Sequence, residues 1–164
     1  MIRPARVGDA AAIAAIWNRE IRTGVNTFNP VERTEAEIIA LIDAAQADGH
    51  AFLVAAPSGQ VQGFARYFQF RGGQGYARSM EHTIYLHAQA QGRGLGRALM
   101  AGLESHATAA GMRMLIGALT ATNAASIGFH HRLGFVEVGR IPDAGWKFGR
   151  HHDLVLMQKL LCAS

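Results

Sequence analysis

A segment of alternating glycines, AQGRGLGRALM at residues 90–100, limits the possible folds more than any other feature of the chain. A strand-like run, MEHTIYLH, precedes it, and leucines at helical spacing follow it. The first N–H groups of a helix have no partner inside the helix, and they carry the positive end of its dipole. Glycines at this place leave those groups uncovered. The segment therefore predicts a strand, a loop that can surround a phosphate, and a helix.

The known glycine-rich phosphate loops can be compared with these letters. A Walker loop needs G-x-x-x-x-G-K-[ST], but no lysine follows the glycines. A dinucleotide-binding loop that starts at Gly92 needs a glycine at the position of Arg97. Since the segment matches neither motif, two interpretations remain: an ordinary glycine-rich turn, or a phosphate-binding loop of another kind.

The remaining segments alternate between strand and helix patterns. Asp9 precedes an apolar helical stripe, and Thr34 with Glu37 forms a capping-box pattern before a second one. A third helix is predicted at about 95–110 and a fourth from near Asn123. Strands are predicted at 2–5, 51–56, 61–70, 80–87, 113–119, 135–141 and 153–161. This order predicts a single α/β domain over residues 1–164, with a mixed, mostly antiparallel sheet flanked by helices.

Composition and charge exclude several classes of function. Of the 164 residues, 49% are hydrophobic and 17% are charged, which is typical of a globular chain. The net charge of +4 suits an acidic ligand, but no basic run typical of nucleic-acid binding occurs. The most apolar early run is too short to span a bilayer, and the single cysteine, Cys162, cannot form an internal disulfide. We expect a cytoplasmic protein without nucleic-acid or membrane partners.

Two motifs resemble the GCN5-related N-acetyltransferase (GNAT) family. The pattern Q-x-x-G-x-G at residues 91–96 is similar to its coenzyme A pyrophosphate loop. The segment NAASIGFHHRLGF is similar to a family helix, with His130 where many members have tyrosine. The element order is similar over almost the whole chain. The resemblance implies a GNAT fold, acetyl-CoA as cosubstrate, and a cofactor site formed by Leu86, His87, Gln91, Gly92, Arg93, Gly94, Leu95, Gly96, Arg97 and Asn123.

Longer segments resemble one group of this family, the phosphinothricin and methionine sulfone or sulfoximine acetyltransferases. The segments are MEHTIYLHAQAQGRGLG, NAASIGFHHRLGF and GWKFGRHHDLVLMQ. GVNTFNPVERTEAE is similar to the segment that carries an acceptor-contacting phenylalanine, here Phe28. The chain departs from the group at Gly72 and Gly73, and at His151, which replaces a frequent tryptophan. The resemblance implies a small amino-acid-like acceptor and a homodimer.

Acetyl transfer requires the acceptor amine to lose a proton before it attacks the thioester. A carboxyl group in a partly dry pocket has a raised pKa and can take this proton. Given the resemblance, Glu81, near the start of the strand that leads to the glycine loop, is the predicted base; without the resemblance, a solvated glutamate at a strand end is the alternative. His130 lies seven residues after Asn123 on the same helix face. Its match to the family's tyrosine position implies that it protonates the departing sulfur or relays a proton; the alternative is a surface or core histidine. The resemblance implies an oxyanion contact from the N–H of Leu86 or His87.

The acceptor carboxylate is predicted to bind Arg71 and Lys147, because cationic side chains, guanidinium above all, bind carboxylates. Tyr76 and Phe28 are predicted to close the acceptor pocket. Each of these residues has an alternative as a solvent-facing or core side chain.

The sequence thus predicts an enzyme that transfers acetyl directly, without a covalent enzyme intermediate or a metal. The histidines at 130–131 and 151–152 do not predict a metal site, since neighbours on a strand point to opposite faces and spacing positions no third ligand. Two alternatives remain: acetylation of a peptide N-terminus or another amine, and a non-catalytic CoA-binding regulatory module. Glu81 together with His130 argues against the module.

Overall fold

The computed structural model describes residues 1–161, which form one seven-stranded sheet and four α-helices. Cys162 lies outside the described residues. In this part of the chain, no helix has the length and apolar character needed to cross a membrane. The strands are β1 (Ile2–Pro4), β2 (Phe52–Ala55), β3 (Gly63–Gln69), β4 (Ser79–Leu86), β5 (Met114–Thr120), β6 (Val136–Lys147) and β7 (Arg150–Leu160). The helices are α1 (Ala10–Thr23), α2 (Glu35–Ala47), α3 (Leu95–Ala109) and α4 (Ala124–Arg132).

The predicted order of helices and strands is confirmed, and local chemistry explains where helices begin. Thr34 Oγ1 accepts a hydrogen bond from the Glu37 N–H at 3.2 Å, and Glu37 Oε2 accepts one from the Thr34 N–H at 2.7 Å. This is the predicted capping box of α2. Helix α1 begins directly after Asp9, as predicted, although the Asp9 carboxylate accepts its hydrogen bonds from Arg3 and from the Arg6 N–H.

The sheet carries an apolar layer on each face. Helices α1 and α2 cover one face, where Phe64 of β3 is buried, and α3 covers the other, where Tyr67 is buried. Side chains alternate along β4 in the same way. Glu81 and Tyr85 therefore lie on the α1 face, since Phe68 and Phe64 pair with them, whereas His82 lies on the α3 face.

The sheet opens between its two central strands, β4 and β5. These strands are parallel, whereas all other neighbours in the order β1-β2-β3-β4-β5-β7-β6 are antiparallel. They pair only over 79–82 and 114–117, although β4 continues to Leu86 and β5 to Thr120. The carboxyl ends of the two strands are therefore separated. The glycine segment follows β4 at this opening, and α4 follows β5.

The two closing strands are longer than predicted. They span 136–147 and 150–160, whereas the sequence predicts strands at 135–141 and 153–161. Phe148 and Gly149 join them with φ values of +52° and +76°, as in a tight hairpin turn. Pro142 and Asp143 are residues that usually end strands, but a register shift between Ile141 and Gly145 accommodates them within β6.

This hairpin holds the loop between α1 and α2 against the sheet. The Lys147 ammonium donates hydrogen bonds to the carbonyl oxygens of Gly24 and Thr27 at 2.7 and 2.8 Å. The ring of Phe28 lies on Gly145, where a Cβ atom would stand 2.1 Å from a ring carbon. Glycine at position 145 therefore lets the loop cover one side of the opening.

Candidate active site

A cavity of about 1080 Å³ passes through the opening between β4 and β5. Its wall on the α3 side includes Leu86, Gln91, Gly92, Gly94, Gly96, Arg97, Asn123, Phe129 and His130. Its wall on the α1 side includes Trp17, Glu20, Phe28, Arg33, Glu81 and Tyr85. The cavity therefore joins the two faces of the sheet, and a ligand in it can contact both.

The glycine loop presents open backbone to this cavity. Gly92 and Gly94 have φ values of +73° and +78°, which residues other than glycine rarely adopt. Apart from the adjacent residues of the chain, no atom lies within 4 Å of a Cβ built on either one. The Ala98 N–H donates to the Gly94 carbonyl, so α3 leaves the N–H groups of the residues between them without helical partners. The loop and the first turn of α3 therefore form a site that fits a phosphate group.

Most of the predicted cofactor residues line the cavity. Seven do so: Leu86, Gln91, Gly92, Gly94, Gly96, Arg97 and Asn123. His87, Arg93 and Leu95 are their chain neighbours but are not part of the wall. The His87 N–H donates to the Gln62 carbonyl at 2.8 Å. Since N–H groups alternate between the two edges of a strand, only Leu86 of the two predicted oxyanion donors directs its N–H toward the opening.

Glu81 is a half-buried carboxyl group on the α1 side of the cavity. Burial raises its pKa above the ordinary value, and the positive charge of Arg66 offsets only part of this shift. A carboxyl group with a raised pKa is a better proton acceptor when ionised than one in bulk water. Glu81 thus lies in the cavity, and its role as the base stays a prediction from sequence.

His130 forms a buried pair with His82, a residue that sequence reasoning missed. The two Nε2 atoms are 2.9 Å apart, and His130 Nδ1 is 2.8 Å from the Ser126 carbonyl oxygen. A carbonyl can only accept, so Nδ1 of neutral His130 carries its proton and Nε2 accepts from His82. Both ring nitrogens of His130 are thus used inside the protein. Within residues 1–161, no further histidine, cysteine or carboxylate joins the two to make a metal site.

Burial keeps this histidine pair neutral. It lowers the pKa of His82 to about 3, with His130 adding to the shift, and it also lowers the pKa of His130. Gly117 makes room for the two rings, because a Cβ there would stand 3.0 Å from the His82 ring and 3.4 Å from His130 Nε2. One sequence signal could have revealed this pair. Side chains alternate along β4, and this alternation places His82 on an apolar face, where a buried histidine needs a hydrogen-bond partner.

The predicted acceptor residues are not brought together. Phe28 lines the cavity and stacks on His152, with ring centroids 5.7 Å apart. Arg71 and Tyr76 are exposed, contact each other and lie outside the wall. Lys147 is buried against the loop that it holds, and it does not line the cavity either. Acceptor binding by these three residues stays a prediction from sequence.

The comparison with known proteins identifies the family. The family model described as "Acetyltransferase (GNAT) family" matches residues 14–135. The chain belongs to the GNAT family. An L-methionine sulfoximine/L-methionine sulfone acetyltransferase of Pseudomonas paraeruginosa is 38% identical over 158 residues, which are 96% of this chain and 92% of that protein. A phosphinothricin N-acetyltransferase of Alcaligenes faecalis is 34% identical over 163 residues, 99% of this chain and 83% of that protein.

A solved structure of a similar protein has the same fold. The structure of yncA from Salmonella typhimurium with its cofactor acetyl-CoA has a TM-score of 0.96 and 35% identity, and it covers 99% of this chain and 94% of that one. The predicted family and fold class are therefore confirmed, and this GNAT protein is an acyltransferase. Its cavity fits acetyl-CoA, because the space at Gly92 and Gly94 suits a diphosphate and the opening leads from there to Glu81.

Lowering the pH should destabilise the protein through the histidine pair. A histidine whose pKa is lowered by folding binds its proton more readily in the unfolded chain. Its contribution to stability is complete above the unfolded pKa of 6.5 and is lost as the pH falls toward the folded value of about 3. We expect the free energy of unfolding in urea to decrease from pH 7 to pH 5, by at most about 1.4 kcal/mol per pH unit for each histidine.

The variant His82→Gln separates this effect from other titrations. Glutamine keeps an N–H donor for His130 but carries no titrating group. The free energy of unfolding of this variant should therefore depend less steeply on pH between 7 and 5 than that of the wild type. Equal slopes would show that His82 gains no proton on unfolding and would contradict its neutral, buried state.

Proposed function

We propose that this GNAT enzyme transfers the acetyl group of acetyl-CoA to the α-amine of a small amino acid of the methionine sulfone, methionine sulfoximine or phosphinothricin type. One observation carries the proposal: the Glu81 carboxyl, with its raised pKa, lines the same cavity as the glycine loop at the start of α3. A candidate base and a candidate phosphate site thus share one enclosed space. The relatives named for these acceptors support the acceptor class.

The cavity residues divide the chemistry between them. Acetyl-CoA supplies an activated thioester carbonyl. Glu81 takes a proton from the acceptor ammonium, directly or through water, so that the nitrogen lone pair can attack. The N–H of Leu86, on the edge of β4 that faces the opening, donates a hydrogen bond to the carbonyl oxygen as negative charge develops on it. As the C–N bond forms, the C–S bond breaks, and CoA leaves as a thiolate that takes up the second proton lost by the attacking nitrogen. The transfer is direct and needs no covalent intermediate on the enzyme.

His130 acts as a positioning residue in this proposal. Its two ring nitrogens bond to Ser126 and His82, and its lowered pKa keeps the ring neutral. The pair therefore fastens α4 to β4 along the cofactor side of the cavity. Protonation of the departing sulfur by His130, which the sequence suggests, would require one of these two hydrogen bonds to break.

We also propose that the chain is a homodimer that contacts its copy through the β6–β7 hairpin. Strand β6 is an edge strand, and several apolar side chains of the hairpin are exposed: Val136, Val138, Ile141, Trp146, Phe148 and Leu160. A second copy would remove them from water. Sedimentation equilibrium that gave the mass of a single 17.6 kDa chain would contradict this. We further propose that residues 1–164 form one domain, and that it acts in the cytoplasm.

A panel of acceptors tests the proposed function. With acetyl-CoA, the three acceptors named above should have a kcat/KM at least about tenfold higher than a polyamine or a peptide with a free N-terminus, because a site that bonds a substrate's polar groups rejects analogues that lack them. Release of the CoA thiol gives the rate, and mass spectrometry identifies the product. A preferred peptide or polyamine would favour the other-amine alternative. Acetyl-CoA binding without transfer to any amine would favour the regulatory module.

Removal of the proposed base tests the mechanism. Positioned proton transfer contributes on the order of a hundred- to ten-thousandfold to a rate, so Glu81→Gln should lower kcat by that factor and leave acetyl-CoA affinity unchanged in calorimetry. In the wild type, kcat/KM should rise with pH as the carboxyl ionises at its raised pKa, and this rise should be absent in the variant. Glu35→Gln, at an exposed position on α2, is the control. Full turnover by Glu81→Gln would place the base elsewhere.

A further inference from the structure

Two arginines on the α1 side of the sheet, Arg33 and Arg66, form no salt bridge in the described part of the chain. Within residues 1–161, neither Arg33 nor Arg66 forms a salt bridge, and the Nε atom of each is buried without a hydrogen-bond partner. A guanidinium group stays charged in proteins. A buried donor on a charged group costs free energy until it is bonded, so an oxygen acceptor that bonds to these guanidinium groups would remove that cost.

Arg33 is held in place at the wall of the cavity. Asn18 of α1 fixes its backbone, accepting from the Arg33 N–H at 2.7 Å and donating to the Arg33 carbonyl at 2.8 Å. Its guanidinium lies over the ring of Trp17, 5.2 Å from the centroid. Both Arg33 and Trp17 line the cavity. The guanidinium is thus positioned before any ligand arrives, which reduces the entropy lost on binding.

Arg66 lies outside the cavity wall but close enough to Arg33 for their charges to repel, and it increases the positive charge there. Its guanidinium is 4.8 Å from the ring centroid of Phe68 and 5.7 Å from that of Phe52. Burial lowers its pKa, repulsion from Arg33 adds to this, and Glu81 opposes it. Glu81 lies on the same face of the sheet, but it forms no salt bridge with Arg66 or Arg33. Glu20 also lines this side of the cavity, but its Oε1 atom accepts hydrogen bonds from Asn26 and it forms no salt bridge with either arginine.

We infer that Arg33, supported by Arg66, binds an oxyanion group of the acceptor. The inference rests on the proposed function and deepens it, since it names the residue that selects the acceptor. It gives this role to Arg33 rather than to the exposed Arg71 predicted from sequence. A guanidinium binds a carboxylate or another planar pair of oxygens through two parallel hydrogen bonds. The oxyanion is the α-carboxylate or an acidic group on the side chain, and both would lie in the cavity that Glu81 lines.

Two substrate comparisons separate these sources. Methionine sulfone against its decarboxylated amine reports on the α-carboxylate, and phosphinothricin against methionine sulfone reports on an acidic side chain. In Arg33→Gln, the kcat/KM ratio of one comparison should fall by about ten- to a hundredfold, as expected when a charged hydrogen bond is lost. Arg66→Gln should lower the same ratio by a smaller factor. Arg19→Gln, an exposed arginine of α1, is the matched control and should leave both ratios unchanged.

The outcomes distinguish this inference from the proposed function. A decrease of either kcat/KM ratio in Arg33→Gln supports the role of Arg33, and the ratio that decreases identifies the oxyanion group that is bound. Unchanged ratios in Arg33→Gln, with a loss in Arg71→Gln, would overturn it while the amino-acid acceptor stands. If Arg33→Gln melts well below the wild type, Arg33→Lys is used instead, because lysine keeps the positive charge but cannot form two parallel hydrogen bonds. The kcat/KM ratio that depends on Arg33 should still be much lower in this variant than in the wild type.

A binding measurement covers the case in which the wild type acetylates none of these amines. Calorimetric titration of methionine sulfone and of phosphinothricin into the complex of enzyme and CoA measures affinity without turnover. Binding that weakens at least about tenfold in Arg33→Gln supports the inference even though the proposed function has failed. Equal affinity in wild type and variant, or no binding by the wild type, overturns it.

Discussion

The separation of β4 from β5 is the constraint on which the rest of the site depends. Parallel strands normally bond along their length, but these two pair only as far as His82 and Gly117. Backbone groups beyond that point need partners other than the neighbouring strand. The glycine loop follows one strand end and α4 follows the other. His82 is the last residue of β4 that pairs with β5, and Gly117 opposite it has no side chain to displace the hydrogen bond between His82 and His130 of α4.

The opening lets the two faces of the sheet carry different chemistry. On the α3 face, the glycine loop and the start of α3 offer backbone donors, and the histidine pair is neutral at physiological pH. On the α1 face, Glu81 and the arginines place titratable and charged groups against an aromatic cluster that includes Trp17 and Tyr85. Anion recognition by backbone and proton transfer by a side chain are thus kept apart. A cosubstrate in the opening would connect them.

The sequence predicts the elements better than it predicts their contacts. The capping box at Thr34 and the glycine loop depend on residues close together in the chain, so the local sequence is sufficient to predict them. The sequence predicts too short a strand β6, because Pro142 and Asp143 are residues that usually end strands. The register shift that accommodates them depends on pairing with β7 and cannot be recognised from the sequence of β6 alone. His82 and His130 are 48 residues apart, and Arg33 lies in a loop without periodicity. Only tertiary packing reveals that these residues face the cavity, and that Arg71 and Tyr76 do not.

Hydrogen exchange measured by mass spectrometry, with and without acetyl-CoA, tests most directly whether the opening is the cofactor site. The amides at 94–97 lack helical partners, and the N–H groups of Ile84 and Leu86 point toward the opening, so both segments should exchange more slowly when acetyl-CoA is bound. The exposed 71–76 loop and the smaller cavity around His50 and His106 should not change. Unchanged exchange at 84–86 and 94–97, with protection at either of the other places, would contradict the account.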